Sequence, residues 1–169
     1  KLGSGLKKST DIGPLINKSA VDKTHKYTKI GKKEGTLLTG GYPVKGKGFF
    51  YKPTIFTDIK PNSRIVKEEI FGPSLAIVPI GDLKEAIKVA NNIEYGLSSS
   101  IYTENIANSF KFIEKVESGI TYINSSTIGA EVHLPFGGVK GTGNGTREAG
   151  IEGIHEFSET KSIYIDYSG

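Results

Sequence analysis

The sequence predicts an α/β fold with a parallel-type sheet and crossover helices. Three observations point there. Helical and strand-like patterns alternate along the 169 residues. A nearly continuous apolar run, Leu75 to Ile80 (LAIVPI), has the composition of a strand covered on both faces. Directly after it, Asp82 with Glu85 three residues on marks the start of a helix whose Leu83, Ala86, Ile87 and Ala90 share one face. Strand, crossover helix and strand in that order favour parallel pairing.

Taken in order, Ser19 to Glu34 is a helix with Ala20, Tyr27 and Ile30 among its apolar positions and Gly35 as its stop. Thr36 to Thr39 is a short strand, followed by a Gly40-Gly41 turn. Gly46 to Gly48 is a loop before Phe49-Phe50-Tyr51, and Pro53 to Ile59 reads as an extended edge segment, because proline removes a ladder donor. Ser98 to Thr103 is a strand. Asn105 to Glu117 is a helix with Ile106, Phe110, Ile113 and Val116 inward, and Gly119 follows. Ile120 to Asn124 is a strand, Ser125 to Asn144 a long loop rich in Gly, Ser and Thr, and Thr146 to Phe157 a weaker helix. Ser162 to Asp166 (SIYID) closes the chain as an alternating strand.

Composition excludes several classes. With no cysteine, the chain holds no disulfide, no thiolate metal site and no cysteine nucleophile. Its three histidines, His25, His133 and His155, are too scattered for a zinc site. The net charge of +4 is mostly diffuse lysine, and only Arg64 and Arg147 offer the guanidinium fork that suits phosphate and base edges, so nucleic acid is not the expected partner. Lys26, Lys29, Lys32 and Lys33 are expected on a solvated helix face. No apolar run reaches the roughly 20 residues that span a bilayer, and no signal-peptide pattern is visible, so a cytoplasmic location without membrane contact is expected. The chain holds no methionine, and both of its ends look cut from something longer.

Four segments could carry chemistry, each with a structural alternative. Gly141 to Thr146 (GTGNGT), opening a helix, could cradle a phosphate or simply be a tight turn. Lys67 to Pro73 (KEEIFGP) sets two carboxylates beside an aromatic. A carboxylate there could accept from a vicinal diol while the ring packs on a planar group. Otherwise the loop is an exposed acidic turn with Phe71 plugging the core. His133, with Glu131 close by, could act as a base or be a structural loop histidine. Phe136, beside two glycines, lines a pocket or fills the core. The closing strand around Tyr164 either packs on its own sheet or adds to a partner's edge.

Taken together and in this order, the segments resemble the C-terminal part of the aldehyde dehydrogenase superfamily. The resemblance rests on Ser9 to Ile16 (STDIGPLI), Gly48 to Ile55 (GFFYKPTI), Glu68 to Pro73 (EEIFGP), Asn91 to Ser98 (NNIEYGLS), Ser118 to Asn124 and Pro135 to Lys140 (PFGGVK), and covers essentially the whole chain. It implies a partial aldehyde dehydrogenase catalytic domain over residues 1–145, a helix over 146–157 returning toward a cofactor domain not in this chain, and an oligomerisation strand over 158–169. It further implies oxidation of an aldehyde to a carboxylate with NAD or NADP, through a cysteine thioester. By motif position, Glu69 would hydrogen-bond the nicotinamide-side ribose and Phe71 would pack near the nicotinamide. Phe136 would line the aldehyde tunnel, Asn124 would support its wall, and the loop Ser125 to Leu134, with Glu131 and His133, would meet the substrate tail. The nucleophile and general base are expected upstream, so the chain alone is expected to be inactive, and to associate with an upstream half or as a homo-oligomer. Two other functions fit the same residues: a non-catalytic dimerisation or interaction module on this fold, and a nucleotide- or phosphate-binding α/β module built on Gly141 to Gly145.

Overall fold

A computed structural model describes residues 1–129 and 131–169. Ala130, inside the expected substrate loop, lies outside the described residues. The chain divides into two compact units, Lys1–Ile93 and Glu94–Gly169.

In the first unit, α1 (Lys18–Glu34) is capped by the Asn17 side chain, which accepts from Ala20 N at 2.9 Å. It buries Thr24, Thr28 and Gly31 and keeps Lys26, Lys29, Lys32 and Lys33 in solvent, as the lysine spacing predicts. Strands β1 (Thr36–Thr39), β2 (Thr54–Thr57) and β3 (Ser74–Ala76) form one sheet in that spatial order, β1–β2 antiparallel and β2–β3 parallel. Between β2 and β3 lies the four-residue helix α2 (Arg64–Lys67), and after β3 comes α3 (Leu83–Asn91). The expected cap of α3 is present: Asp82 accepts from Glu85 N and Glu85 from Gly81 N, both at 2.7 Å.

Two expectations for this sheet are corrected. The segment after Pro53 is the central strand, not an edge. Pro53 sits one residue before β2, where its missing N–H takes no bond from the ladder, and Thr54 N already donates to Pro73 O. Conversely, the apolar run at Leu75 gives only a three-residue strand at the sheet edge. Ala76 and Val78 pack on the core while Leu75 and Ile77 on the opposite face stay exposed, so within this chain the run is covered on one side only. The core is Phe56, Ile59 and Ile65, surrounded by Tyr27, Ile30, Leu37 and Ile70. Tyr51 is buried as well. Its hydroxyl lies 2.9 Å from Thr28 Oγ1 and 3.0 Å from His25 Nδ1, and burial raises its pKa.

In the second unit, β5 (Ser98–Ile101) and β6 (Ile120–Ile123) pair in parallel across α4 (Ile106–Lys115), the crossover the sequence predicts. A two-residue pairing joins β4 (Tyr95–Gly96) to β7 (Val139–Lys140), and β7 falls inside what the sequence reads as the loop Ser125 to Asn144. The inward face of α4 is also corrected. Ile106 and Phe110 are 70% and 65% exposed, and Ile113 is exposed too, whereas Ser109 and Phe112 are buried. This helix is apolar on more than one side, so periodicity does not choose which side the chain covers.

The last helix, α5 (Gly150–Glu156), starts later than the expected Thr146, after a turn in which Asn144 Oδ1 accepts from Thr146 N at 3.0 Å. Residues 162–166 form no strand here. Among the described residues none pairs with them as a ladder, and residues 158–169 are exposed throughout. Among the described residues, no helix is long and apolar enough to cross a membrane, and no cluster of three or more His, Asp or Glu side chains could hold a metal ion.

Candidate functional site

Each unit holds one part of the expected site. In the first, the turn after α2 carries the two adjacent carboxylates, and the fold treats them oppositely. Glu68 is tied down: Arg64 Nε donates to its Oε1 at 2.6 Å, Arg64 Nη2 to its Oε2 at 2.9 Å, and the Tyr27 hydroxyl to Oε2 at 2.7 Å. The Arg64 bonds, then the Tyr27 bond, lower the Glu68 pKa to about 2, and the bond to Glu68 raises that of Tyr27. Glu69 is left free: it is exposed, and its carboxylate has no hydrogen bond or ion pair among the described residues.

Ile70 turns back into the core. Phe71 then adopts φ 54° with its ring 76% exposed, which overturns its reading as a core plug. Left-handed backbone at a non-glycine residue costs about 1 kcal/mol, and such strain concentrates at functional sites. At Gly72 the backbone passes so close to α1 that a methyl group would sit 2.3 Å from Thr24 Oγ1.

The charge state of Glu68 predicts a pH dependence. Its pKa is near 2 folded and near the ordinary 4.5 unfolded, so between these values the unfolded chain binds more protons. The stabilisation from Glu68 is therefore full above pH 4.5 and is lost as the pH falls through to about 2. The gap in urea midpoint between the native chain and Glu68→Gln is expected to close over that window. A gap that does not change with pH would rule out the ion pair as its source.

In the second unit, Phe136 exchanges backbone hydrogen bonds with Glu148, at 2.6 and 2.8 Å, and its half-buried ring lines clefts of about 210, 310 and 400 Å³. Ile120, Tyr122, Ile128, Glu131 and Leu134 share the 310 Å³ cleft with it, and Tyr122 holds the loop by donating to Gly129 O at 2.5 Å. Glu131 also borders the 400 Å³ cleft, whereas His133 is exposed and lines neither of these two clefts.

Asn124, at φ 54°, gives both amide atoms to Thr103: Oδ1 accepts from Thr103 N at 2.7 Å and Nδ2 donates to Thr103 O at 2.9 Å. It fixes the end of β6 where the loop departs. The glycine-rich turn at 141–145 packs against its own unit, with Gly141 N donating to Glu94 O at 2.9 Å, and no helix begins directly after it.

Sequence reasoning missed the residues that hold these parts in place. Tyr27 lies 41 residues from Glu68, and nothing local links them. Arg64 four residues before Glu68 was a legible signal, since helix neighbours at that spacing pair.

The architecture is mixed α/β, with parallel and antiparallel pairing. The aldehyde dehydrogenase family pattern matches residues 1–163, and the chain belongs to that family. It is 39% identical over 163 residues to an alpha-ketoglutarate semialdehyde dehydrogenase of Haloferax volcanii, covering 93% of this chain and 34% of the relative. It is 41% identical over 164 residues to a 1-pyrroline-5-carboxylate dehydrogenase of a Geobacillus species, covering 96% and 32%. The NAD+ complex structure of an aldehyde dehydrogenase from Bacillus cereus superposes with a TM-score of 0.91 at 38% identity, over 99% of this chain and 34% of that one. The chain spans about a third of the length of these two curated relatives.

Proposed function

We infer that this chain is the C-terminal part of an NAD(P)-dependent aldehyde dehydrogenase that oxidises an aldehyde to a carboxylate. The thioester cysteine lies outside these 169 residues, which contain none. The observation that carries the reading is the turn at 68–72. Glu68, Ile70 and Gly72 are anchored, while Glu69 and Phe71 stand exposed, the one with unengaged acceptors and the other with an open ring face. That pairing of carboxylate and aromatic fits the ribose and ring of a nicotinamide nucleoside, and the Bacillus cereus relative is a complex with NAD+. NAD or NADP supplies the hydride acceptor. Glu69 binds ribose hydroxyls, and Phe71 restricts where the ring lies, which orients the reaction without making bonds. Phe136 and Glu131 form part of the aldehyde tunnel, and Asn124 holds its wall. Residues 158–169 act as an oligomerisation strand on a second copy, a role that suits their exposed alternation of Ile163 and Ile165 with Tyr164.

Two measurements test this. The 169-residue chain alone, given NAD or NADP and simple aldehydes, is expected to form no reduced cofactor, and sustained turnover would refute the division of labour. In the complete dehydrogenase, Glu69→Gln is expected to weaken dinucleotide binding by roughly 10- to 100-fold, the worth of hydrogen bonds to a charged group. Unchanged dinucleotide affinity would remove Glu69 from the site. It would then favour the non-catalytic interaction module, whose dimerisation needs no dinucleotide.

A further inference from the structure

Glu69 and Phe71 are held by their neighbours, and α1 supplies a contact on either side of them. Glu34, the last residue of α1, accepts from Arg64 N at 2.9 Å and from Ile65 N at 3.1 Å, so it caps α2 in place of Ser63, whose side chain makes no capping bond. At the other end of α2, Tyr27 of α1 reaches Glu68, which Arg64 also grips with two parallel bonds. Three residues before Tyr27, Thr24 of α1 closes against Gly72. The exposed pair is therefore slung between two fixed points on one helix, Tyr27 before it and Thr24 after it. A helix of four residues cannot hold a direction by its own bonds, since nearly all of its N–H groups are end groups.

We propose that Glu68 is a positioning residue for the dinucleotide. Clamped by Tyr27 and Arg64, it fixes the turn so that Glu69 and Phe71 present acceptor and ring together. This rests on the assignment of Glu69 and Phe71 to the cofactor. It goes further in giving the neighbouring carboxylate and a distant tyrosine a role in affinity, with no contact to the ligand. The two glutamates divide the work: Glu68 spends its lone pairs on the protein so that Glu69 keeps its own for the ribose.

The test compares three variants of the complete dehydrogenase: Glu69→Gln, Glu68→Gln and Tyr27→Phe. Tyr27→Phe removes one hydroxyl and leaves the ion pair intact, so it reports even if Glu68→Gln folds poorly. The readouts are the Kd for NAD by titration without aldehyde, the separate KM values for NAD and aldehyde, and hydrogen exchange of the Val66, Lys67 and Glu68 amides, which donate to Ser63 O and Arg64 O. Glu68→Gln is expected to raise the NAD Kd about tenfold and Tyr27→Phe to raise it less, with faster exchange at 66–68 and an unchanged KM for aldehyde. A role in stability alone would lower the melting temperature and leave the NAD Kd where it was. If Glu69→Gln weakens NAD while Glu68→Gln and Tyr27→Phe do not, the positioning role is overturned and the cofactor assignment stands. If Glu69→Gln itself has no effect, the cofactor assignment falls and the positioning role falls with it.

Discussion

Replacing Phe56 by alanine should destabilise the first unit by about 3–5 kcal/mol, the usual loss for an aromatic removed from a closed core. Phe56 is 1% exposed on the central strand β2. Its ring fills a notch in α1 at Gly31, where a methyl group would come within 2.8 Å of ring carbons, so helix and sheet meet on this side chain. Ile59 and Ile65 are the other members of the buried cluster, and neither can swing into the vacated space without leaving its own contacts. Because α1 also carries Tyr27 and Thr24, a loosened helix should carry the 69–71 turn with it. Urea denaturation monitored on the first unit is the direct check, with hydrogen exchange at residues 66–68 as the second. A loss below about 1 kcal/mol would mean that the core repacks around the void.

How much of this was legible beforehand depended on range. The Asp82–Glu85 cap, the β1 bounds and the solvated lysine face of α1 follow from chemistry within one helical turn or four strand residues, and they stand where the sequence puts them. The central position of β2 does not follow, because pairing partners are chosen across distance. Thr54–Thr57 takes β1 on one side and β3 on the other, and Pro53 misleads only because it sits one residue short of the ladder. The Val139–Lys140 pairing is two residues long and has no period to read. In the candidate site the same limit appears between neighbours. Glu68 and Glu69 are chemically identical in the sequence, and what separates them is Arg64 one helical turn before Glu68 together with a tyrosine on a helix far upstream, the second of which nothing local announces. Phe71 shows the converse: its ring is exposed because of a backbone torsion that its residue type disfavours, so propensity alone points inward.

Gly119→Ala should be the most damaging small substitution in the second unit, with a loss of at least about 3 kcal/mol, the upper end of what overpacking costs. A methyl group on residue 119 would lie 1.8 Å from the Gly137 carbonyl oxygen and 2.9 Å from Gly138 Cα. Both obstacles are backbone, so no rotamer change relieves them. Nor can the 137–138 segment retreat. Arg147 Nη1 holds the Gly138 carbonyl at 3.1 Å. Gly119 is equally fixed, since its N–H donates to Gly96 O at 3.0 Å as the chain enters β6. The strain must therefore appear as displacement of Phe136, the residue immediately before the crowded pair and one wall of the 310 Å³ cleft. Denaturation should show the stability loss. In the complete dehydrogenase the KM for aldehyde should rise while dinucleotide affinity holds, because Glu69 and Phe71 lie in the other unit. A Gly119→Ala protein of native stability would show that the approach of residue 119 to Gly137 is not a fixed feature of the fold.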